Sequence, residues 1–282
     1  MTVKIIADST CDLTPELIKQ YDIDIIPLHV ILGEETFKDG IEIKPKDVIS
    51  WSNKTGSTPK TSAPSVEAFQ KNIKKYADEN RDIVIITISS EFSSTLQSAQ
   101  IAAEDFDEID IQIVDSRNLS TGIGLLVLIA AEMAKEGISA KLIHEKLRET
   151  IPKIKASFFV DTLTFLYRGG RCSALQAFGA NSLKIKPQIL VEDGKMRTGA
   201  KFRGSTEKVC KNYAETVLAD INKIDPKRVF ITHSPTDTEI VKTAYDIVKS
   251  KNYFEEILIT EAGCVVTSHC GESTLGILYI EK

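Results

Sequence analysis

The sequence predicts an α/β protein of two α/β domains, the first built on a mainly parallel sheet and the second on a mixed one. Unbroken β-branched runs, Ile83-Val84-Ile85-Ile86-Thr87 above all, read as strands buried on both faces, and helical patterns alternate with them. Strands separated by helices at this spacing form βαβ units and pair in parallel. In the second half, Asp193-Gly194 is flanked by residues 188–192 and 195–202, which is hairpin chemistry and adds antiparallel pairing. The 282 residues suffice for about two domains at roughly 150 residues each. The boundary is expected near Lys155: residues 1–155, with a hairpin and loop insertion near 30–65, then residues 156–282.

Taken in order, 3–7 is a first strand that meets Asp8-Ser9-Thr10-Cys11-Asp12, and Pro15 then opens a helix in its first turn. On spacing alone Asp8 suits a cap better than a site. Residues 23–30 read as a second strand, and 33–40 as a hairpin turning at Asp39-Gly40. The stretch 54–65 contains Pro59 and Pro64, which resist helix and central strand, so it is a loop, pinned where Ser65 caps the next helix. Thr61 and Ser62 are then hydroxyls on an ordered loop, where binding residues concentrate. After the strand at 83 and a helix from Thr95 come a strand over 109–115, a buried helix from Leu119 to about Lys135 and an amphipathic helix over 141–151. The second half reads as a strand at 158–160, a helix over 162–168 ended by Gly169-Gly170, a helix over 173–185 and the hairpin. A helix over 206–221, a strand over 228–232, a helix over 239–249 and strands at 256–260 and 276–280 follow.

A 42% hydrophobic, 27% charged composition is that of a globular protein with a proper core, and the net charge of −5 argues against general binding to nucleic acid. Five scattered cysteines form no disulfide framework, so a reducing cytoplasm is expected. No charged-then-apolar leader opens the chain, and the apolar run near 124–131 is too short to span a bilayer.

The richest functional signal is the turn Ser89-Ser90-Glu91-Phe92-Ser93-Ser94-Thr95, between a strand's carboxyl end and a helix's amino end. Free N–H groups and the macrodipole favour an anion there. One serine suffices for a cap, and the glycines of a phosphate cradle are missing, so a small anion held partly by hydroxyls is expected. His269, in a loop of small residues, could donate to an anion, take a proton or serve structurally. Gly122-Ile123-Gly124 reads as helix packing, Cys264, His269 and Cys270 do not converge as zinc ligands, and His29 and His233 lean structural. Lys195, Arg197, Lys201, Arg203 and Lys208 make the hairpin region basic, either as a solvated face or as a dock for an acidic partner or lipid headgroups.

Asp8-Ser9-Thr10, Thr61-Ser62-Ala63-Pro64-Ser65, Ser89-Ser90 with Ser93-Ser94-Thr95 and Gln97-Ser98-Ala99, Leu166-Tyr167-Arg168-Gly169-Gly170-Arg171, and Thr267-Ser268-His269 with Gly271 resemble, in this order, the motifs of the DegV family. The resemblance runs essentially end to end. It implies a long-chain fatty acid between the two domains, its carboxylate held by hydroxyls and its tail in a closed apolar tunnel. It further implies a FakB-type carrier without a catalytic residue, metal or cofactor beyond the bound acid. Such a carrier presents the acid to a separate fatty acid kinase that makes acyl phosphate for phospholipid metabolism, with transient membrane contact allowed and no nucleic-acid partner. By position, Thr61, Ser62, Ser93 and Ser94 would surround the carboxylate, His269 would approach from the second domain, and Arg203 would engage the kinase. The family usually has glycine in place of Ser94 and proline-glycine in place of Glu272-Ser273. Each buried methylene of the tail adds ~0.8 kcal/mol, so the tail would dominate affinity and the head would set orientation. The rival reading is a serine hydrolase or acyltransferase with Ser93 as nucleophile and His269 as its base, though no third orienting group is evident.

Overall fold

The computed structural model describes residues 3–171 and 185–282. Strand β1 (Lys4–Asp8) is buried along its whole length and ends in a single 3-10 turn at Ser9–Cys11. Thr14 caps α1 (Pro15–Gln20) by accepting from Leu17 N. The strand expected over 23–30 is two, β2 (Ile23–Ile26) and β3 (His29–Leu32), because Pro27 between them has no N–H to give a ladder and the pieces enter different sheets. β4 (Glu35–Lys38) returns along β3 with Leu32 opposite Glu35, so the hairpin turns at Gly33-Glu34 and not at Asp39-Gly40; Gly33 takes the left-handed φ of 68° that this tight turn requires.

Helix α2 (Pro45–Thr55), unforeseen in the sequence, starts on a proline and stops at Gly56, φ 67°. The loop expected over 54–65 contains β5 (Lys60–Ser62), an edge strand on β3 flanked by the two prolines. Ser65 caps α3 (Val66–Ala77), whose Phe69, Ile73, Tyr76 and Ala77 form one buried stripe. Then follow β6 (Ile83–Thr87), α4 (Thr95–Ala103), β7 (Ile111–Asp115), α5 (Thr121–Lys135) and α6 (Ala140–Thr150).

The second half comprises β8 (Ile154–Phe159), α7 (Thr164–Gly169), β9 (Lys186–Glu192), β10 (Lys195–Phe202), α8 (Thr206–Val217), β11 (Ile224–His233), α9 (Thr238–Ser250), β12 (Glu256–Glu261), α10 (Cys264–Cys270) and β13 (Leu275–Glu281). The helix expected over 173–185 lies, all but Ile185, outside the described residues. Asp193-Gly194 makes the expected two-residue turn, with Lys195 opposite Glu192 and both turn residues at positive φ. The stretch holding His269, expected to be a loop, is helix α10.

Among the described residues the strands form three sheets: β2-β1-β6-β7, all parallel; β10-β9-β8-β13-β11-β12, mixed, with β11 and β12 its parallel pair; and the small antiparallel β4-β3-β5. Helix α5 is buried nearly all round because it lies between the two large sheets, touching β1 and β6 on one side and β8 and β13 on the other. Gly124 permits this closeness, since a Cβ there would be 3.0 Å from the Cys11 carbonyl. In the parallel sheet the strand order reverses between β1 and β6, and ligands of open α/β sheets bind at such a reversal, outside the strands' carboxyl ends.

Candidate functional site

The loop after β6 leads into α4 at this reversal point. Ser93 Oγ accepts from Thr95 N at 3.3 Å and shares a 2.8 Å hydrogen bond with the buried Thr95 hydroxyl, which shapes the first turn. Ser94 occupies the cap position with its side chain uncommitted to the backbone. Of the five hydroxyls in this turn, three are engaged in holding the loop. Ser89 donates to the Gly194 carbonyl at 2.9 Å, clasping the β9–β10 hairpin, and Ser90 donates to Asp115 at 2.6 Å. Ser89, Ser90 and Thr95 hold the loop, and Ser93 and Ser94 face a cavity.

That cavity has a volume of about 220 Å³. Thr61 and Ser62 reach it from β5, Ser93 and Ser94 from the start of α4, and His269 from the last turn of α10. The structure thus brings five of the residues named from the sequence to one place. His269 Nε2 lies 2.8 Å from Thr61 Oγ1, while its Nδ1 is sealed without a hydrogen-bond partner. Burial pushes the imidazole down to about 4, helped by the Arg171 guanidinium, so at neutral pH the ring is uncharged. Gly169 lets the end of α7 come this close: a Cβ there would be 2.5 Å from Nδ1.

Of three buried carboxyl groups, two set the position of α10. Asp12 accepts from Gly263 N at 2.8 Å and Asp39 from Cys264 N at 2.7 Å, capping the helix from outside. Asp12 also accepts from Ser120 Oγ, Asp39 from Ser9 Oγ, and Asp8 from Thr10 N and Ile88 N. Asp8 is a cap, in line with its spacing. Burial raises all three carboxyls, Asp8 to about 6 and Asp12 to about 8, with repulsion from Asp39 adding to it at Asp8 and Asp12.

Arg203 is exposed on the link between β10 and α8, outside the cavity lining. The basic face around it is partly neutralised, because Lys195 pairs with Glu91 at 3.3 Å and Arg197 with Glu192 at 3.5 Å. Glu272 is exposed and outside the lining, so the acidic residue after Gly271 does not oppose an anion in the cavity. Ser93 and His269 do not form a nucleophile–base pair: Nε2 is on Thr61, Nδ1 has no carboxylate behind it, and a ring held near 4 is a weak base at neutral pH. Hydroxyls, a helix amino end and a neutral imidazole lining one cavity together with apolar side chains suit a carboxylate with a hydrocarbon tail.

A family model described as uncharacterised proteins of the DegV family matches residues 2–282. The chain belongs to the DegV family. A relative from Thermotoga maritima, a fatty acid-binding protein, is 34% identical over 282 residues, covering 98% of this chain and 96% of its own. The structure of a fatty-acid-binding DegV family protein from Thermus thermophilus superposes over the whole of both chains with a TM-score of 0.89 at 30% identity. A stearic-acid-binding protein from Eubacterium ventriosum does so over 99% of this chain and 98% of its own, with a TM-score of 0.86 at 27% identity.

This DegV chain also uses residues that sequence reasoning did not single out. Arg171 lines the cavity beside His269 and donates to the Gly169 carbonyl at 2.8 Å; its only signal was its place in the Arg168-Gly169-Gly170-Arg171 motif. Phe92, Leu119, Met196, Val265 and Val266 supply apolar wall, and no local pattern marks them. Among the described residues no group of His, Cys, Asp and Glu is placed to hold a metal ion, and no helix is long and apolar enough to cross a membrane.

Proposed function

We propose that the protein binds one long-chain fatty acid and presents it, without chemistry of its own, to a separate kinase that phosphorylates the carboxylate. The observation that carries this reading is the convergence of Thr61, Ser62, Ser93, Ser94 and His269 on one cavity whose wall also includes Leu28, Phe92, Leu119, Met196, Val265 and Val266. The carboxylate accepts from the hydroxyls and the first turn of α4, with Arg171 balancing its charge from the rim, and the chain lies against Leu28, Phe92 and Met196. Fatty-acid-binding relatives of the same fold support it. In the kinase step the carboxylate oxygen attacks the γ-phosphoryl group of ATP, giving acyl phosphate and ADP; the carrier holds the acyl chain and Arg203 contacts the kinase. No cofactor is required of the carrier, and the reaction belongs in the cytoplasm, where ATP is, with contact at the membrane only to exchange lipid.

Native mass spectrometry of the purified protein, followed by denaturing extraction, tests the reading. A fatty acid at one per chain is expected, and Thr61→Ala and Ser93→Ala should each reduce its retention. A protein that is purified empty and takes up no added fatty acid would overturn it.

A further inference from the structure

The six-stranded sheet ends differently at its two edges. At one, β10 carries Lys195, Arg197 and Lys201 and loses register with β9 between Thr198 and Lys201, and such charges and bulges keep a free edge from pairing. At the other, β12 is outermost among the described residues and has neither device along its middle. It runs parallel to β11 without a break from Glu256 to Glu261 and contains no proline. Its centre is Ile257-Leu258-Ile259, none of them buried, with Ile259 41% exposed. Glu256 at its start is taken by Arg228, whose Nε donates to it at 2.6 Å. Beside the strand lies a groove of about 320 Å³, walled by Ile259 and by Val241, Lys242 and Tyr245 of α9.

We propose that β12 pairs antiparallel with β12 of a second copy of this chain, joining two six-stranded sheets into one about a twofold axis at Leu258. Opposite residues of an antiparallel pair share a face, so the axis has to set one residue opposite its own copy. With Leu258 at the axis, Ile257 meets Ile259 of the second copy on both sides of it, and Glu256 meets Thr260. The neighbouring choices are worse: an axis at Ile259 sets Ile257 against Glu261, and one at Ile257 sets Leu258 against Glu256. The segment is thus its own complement in a single register. Ile257 and Ile259 lie on the face that packs on α9, so Ile257 of the second copy, across from Ile259, arrives at the groove beside Val241 and Tyr245. Beyond the paired run, Glu261 of the second copy falls opposite Glu255, at the end where α9 closes with the exposed Lys249 and Lys251, so carboxylates and lysines meet there in equal number. Because β10 is the far edge of the same sheet, the pairing leaves the hairpin and Arg203 open.

Light scattering on size-exclusion fractions over a wide range of concentration is the test. The mass is expected to rise toward twice that of the chain, and Ile259→Lys, which sets a lysine opposite Ile257 on both sides of the axis, should weaken the association at least about tenfold. Ile259 is outside the lining of the cavity that Thr61 and His269 share, so displacement of a fluorescent fatty acid from lipid-stripped protein, with thermal melting, checks that the variant is folded. Register is read by oxidative cross-linking, with the parent chain as the control for its own cysteines. Leu258→Cys should give a covalent dimer by itself, whereas Ile257→Cys and Ile259→Cys should give one far better mixed than alone. A chain that stays single at every concentration overturns the proposal and leaves β12 to a strand of another protein. A dimer that a folded Ile259→Lys protein retains, or that Leu258→Cys does not trap, overturns it in favour of another face.

Discussion

Acidifying the ligand-free protein tests whether His269 is a neutral, desolvated ring. In the unfolded chain the imidazole takes a proton at its ordinary 6.5; in the folded protein burial delays this to about 4. Between those values the unfolded state binds more protons, so stability rises with pH across the window. The contribution is fully present above 6.5 and is lost as pH falls to about 4. At about 1.4 kcal/mol per pH unit the whole window is worth about 3 kcal/mol, a large share of the roughly 5–15 kcal/mol that holds a domain together. His269→Gln keeps a hydrogen-bonding group for Thr61 and cannot titrate. Urea unfolding of the two proteins over this range should give stability curves that converge, or cross in favour of the variant, as pH falls, and subtracting them removes the carboxyl groups, which both share. Saturating fatty acid should shrink the difference, because a carboxylate beside the ring favours its charged form. Parallel curves in the ligand-free proteins would refute the assignment and return His269 to an ordinary, solvated histidine.

The remaining expectations concern the supports of the site. Gly169→Ala puts a Cβ 2.5 Å from His269 Nδ1, so the ring must move and fatty acid affinity should fall about tenfold, read by the same displacement assay. Asp12 behaves oppositely to His269: its carboxyl is raised from 3.8 to about 8, so the folded state holds its proton longer than the unfolded one and stability falls as pH rises through that range. Asp12→Asn keeps an acceptor for Gly263 N and should flatten that slope in thermal melts, ending more stable than the parent on the alkaline side. Arg203→Ala should leave the fatty acid bound while slowing its phosphorylation by the kinase; normal turnover would remove Arg203 from the docking role.

Much of this arrangement could be read along the chain, where the physics is local. β-branched runs buried on both faces declared the parallel strands, Asp193-Gly194 declared the hairpin, and the hydroxyls at the start of α4 pointed to residues that line the cavity. Several of the misreadings share one cause, which is that the deciding partner lies far away. Helix α10 has no polar face and no local cap, because Val265, Thr267, Ser268 and Cys270 are buried together and its caps come from residues 225 and 251 positions earlier. Asp39-Gly40 has turn chemistry, yet Asp39 spends its carboxylate on that distant helix while the hairpin turns at Gly33-Glu34. Ser89 looked like a ligand group and instead holds the tip of a hairpin about a hundred residues on, which is how Met196 reaches the cavity.

The buried acids and the strained start of α5 belong to one construction. Ser120 lies at φ 53°, ψ −144°, a region that costs a non-glycine residue about 1–3 kcal/mol. Its hydroxyl is bonded to Asp12, whose other oxygen caps α10, so one carboxyl ties the entrance of α5 to the helix that carries His269. Asp39 ties the same helix to Ser9, and Ser9 in turn accepts from Leu28 N at the cavity wall. Replacing these carboxyls with hydrophobic groups would spare the desolvation that raises their titration ranges, but it would leave Gly263 N and Cys264 N buried without partners, at about 1–3 kcal/mol each. The acids therefore act on the ligand only through position: they fix where α10 begins, one and a half turns before His269, and so where the ring meets Thr61.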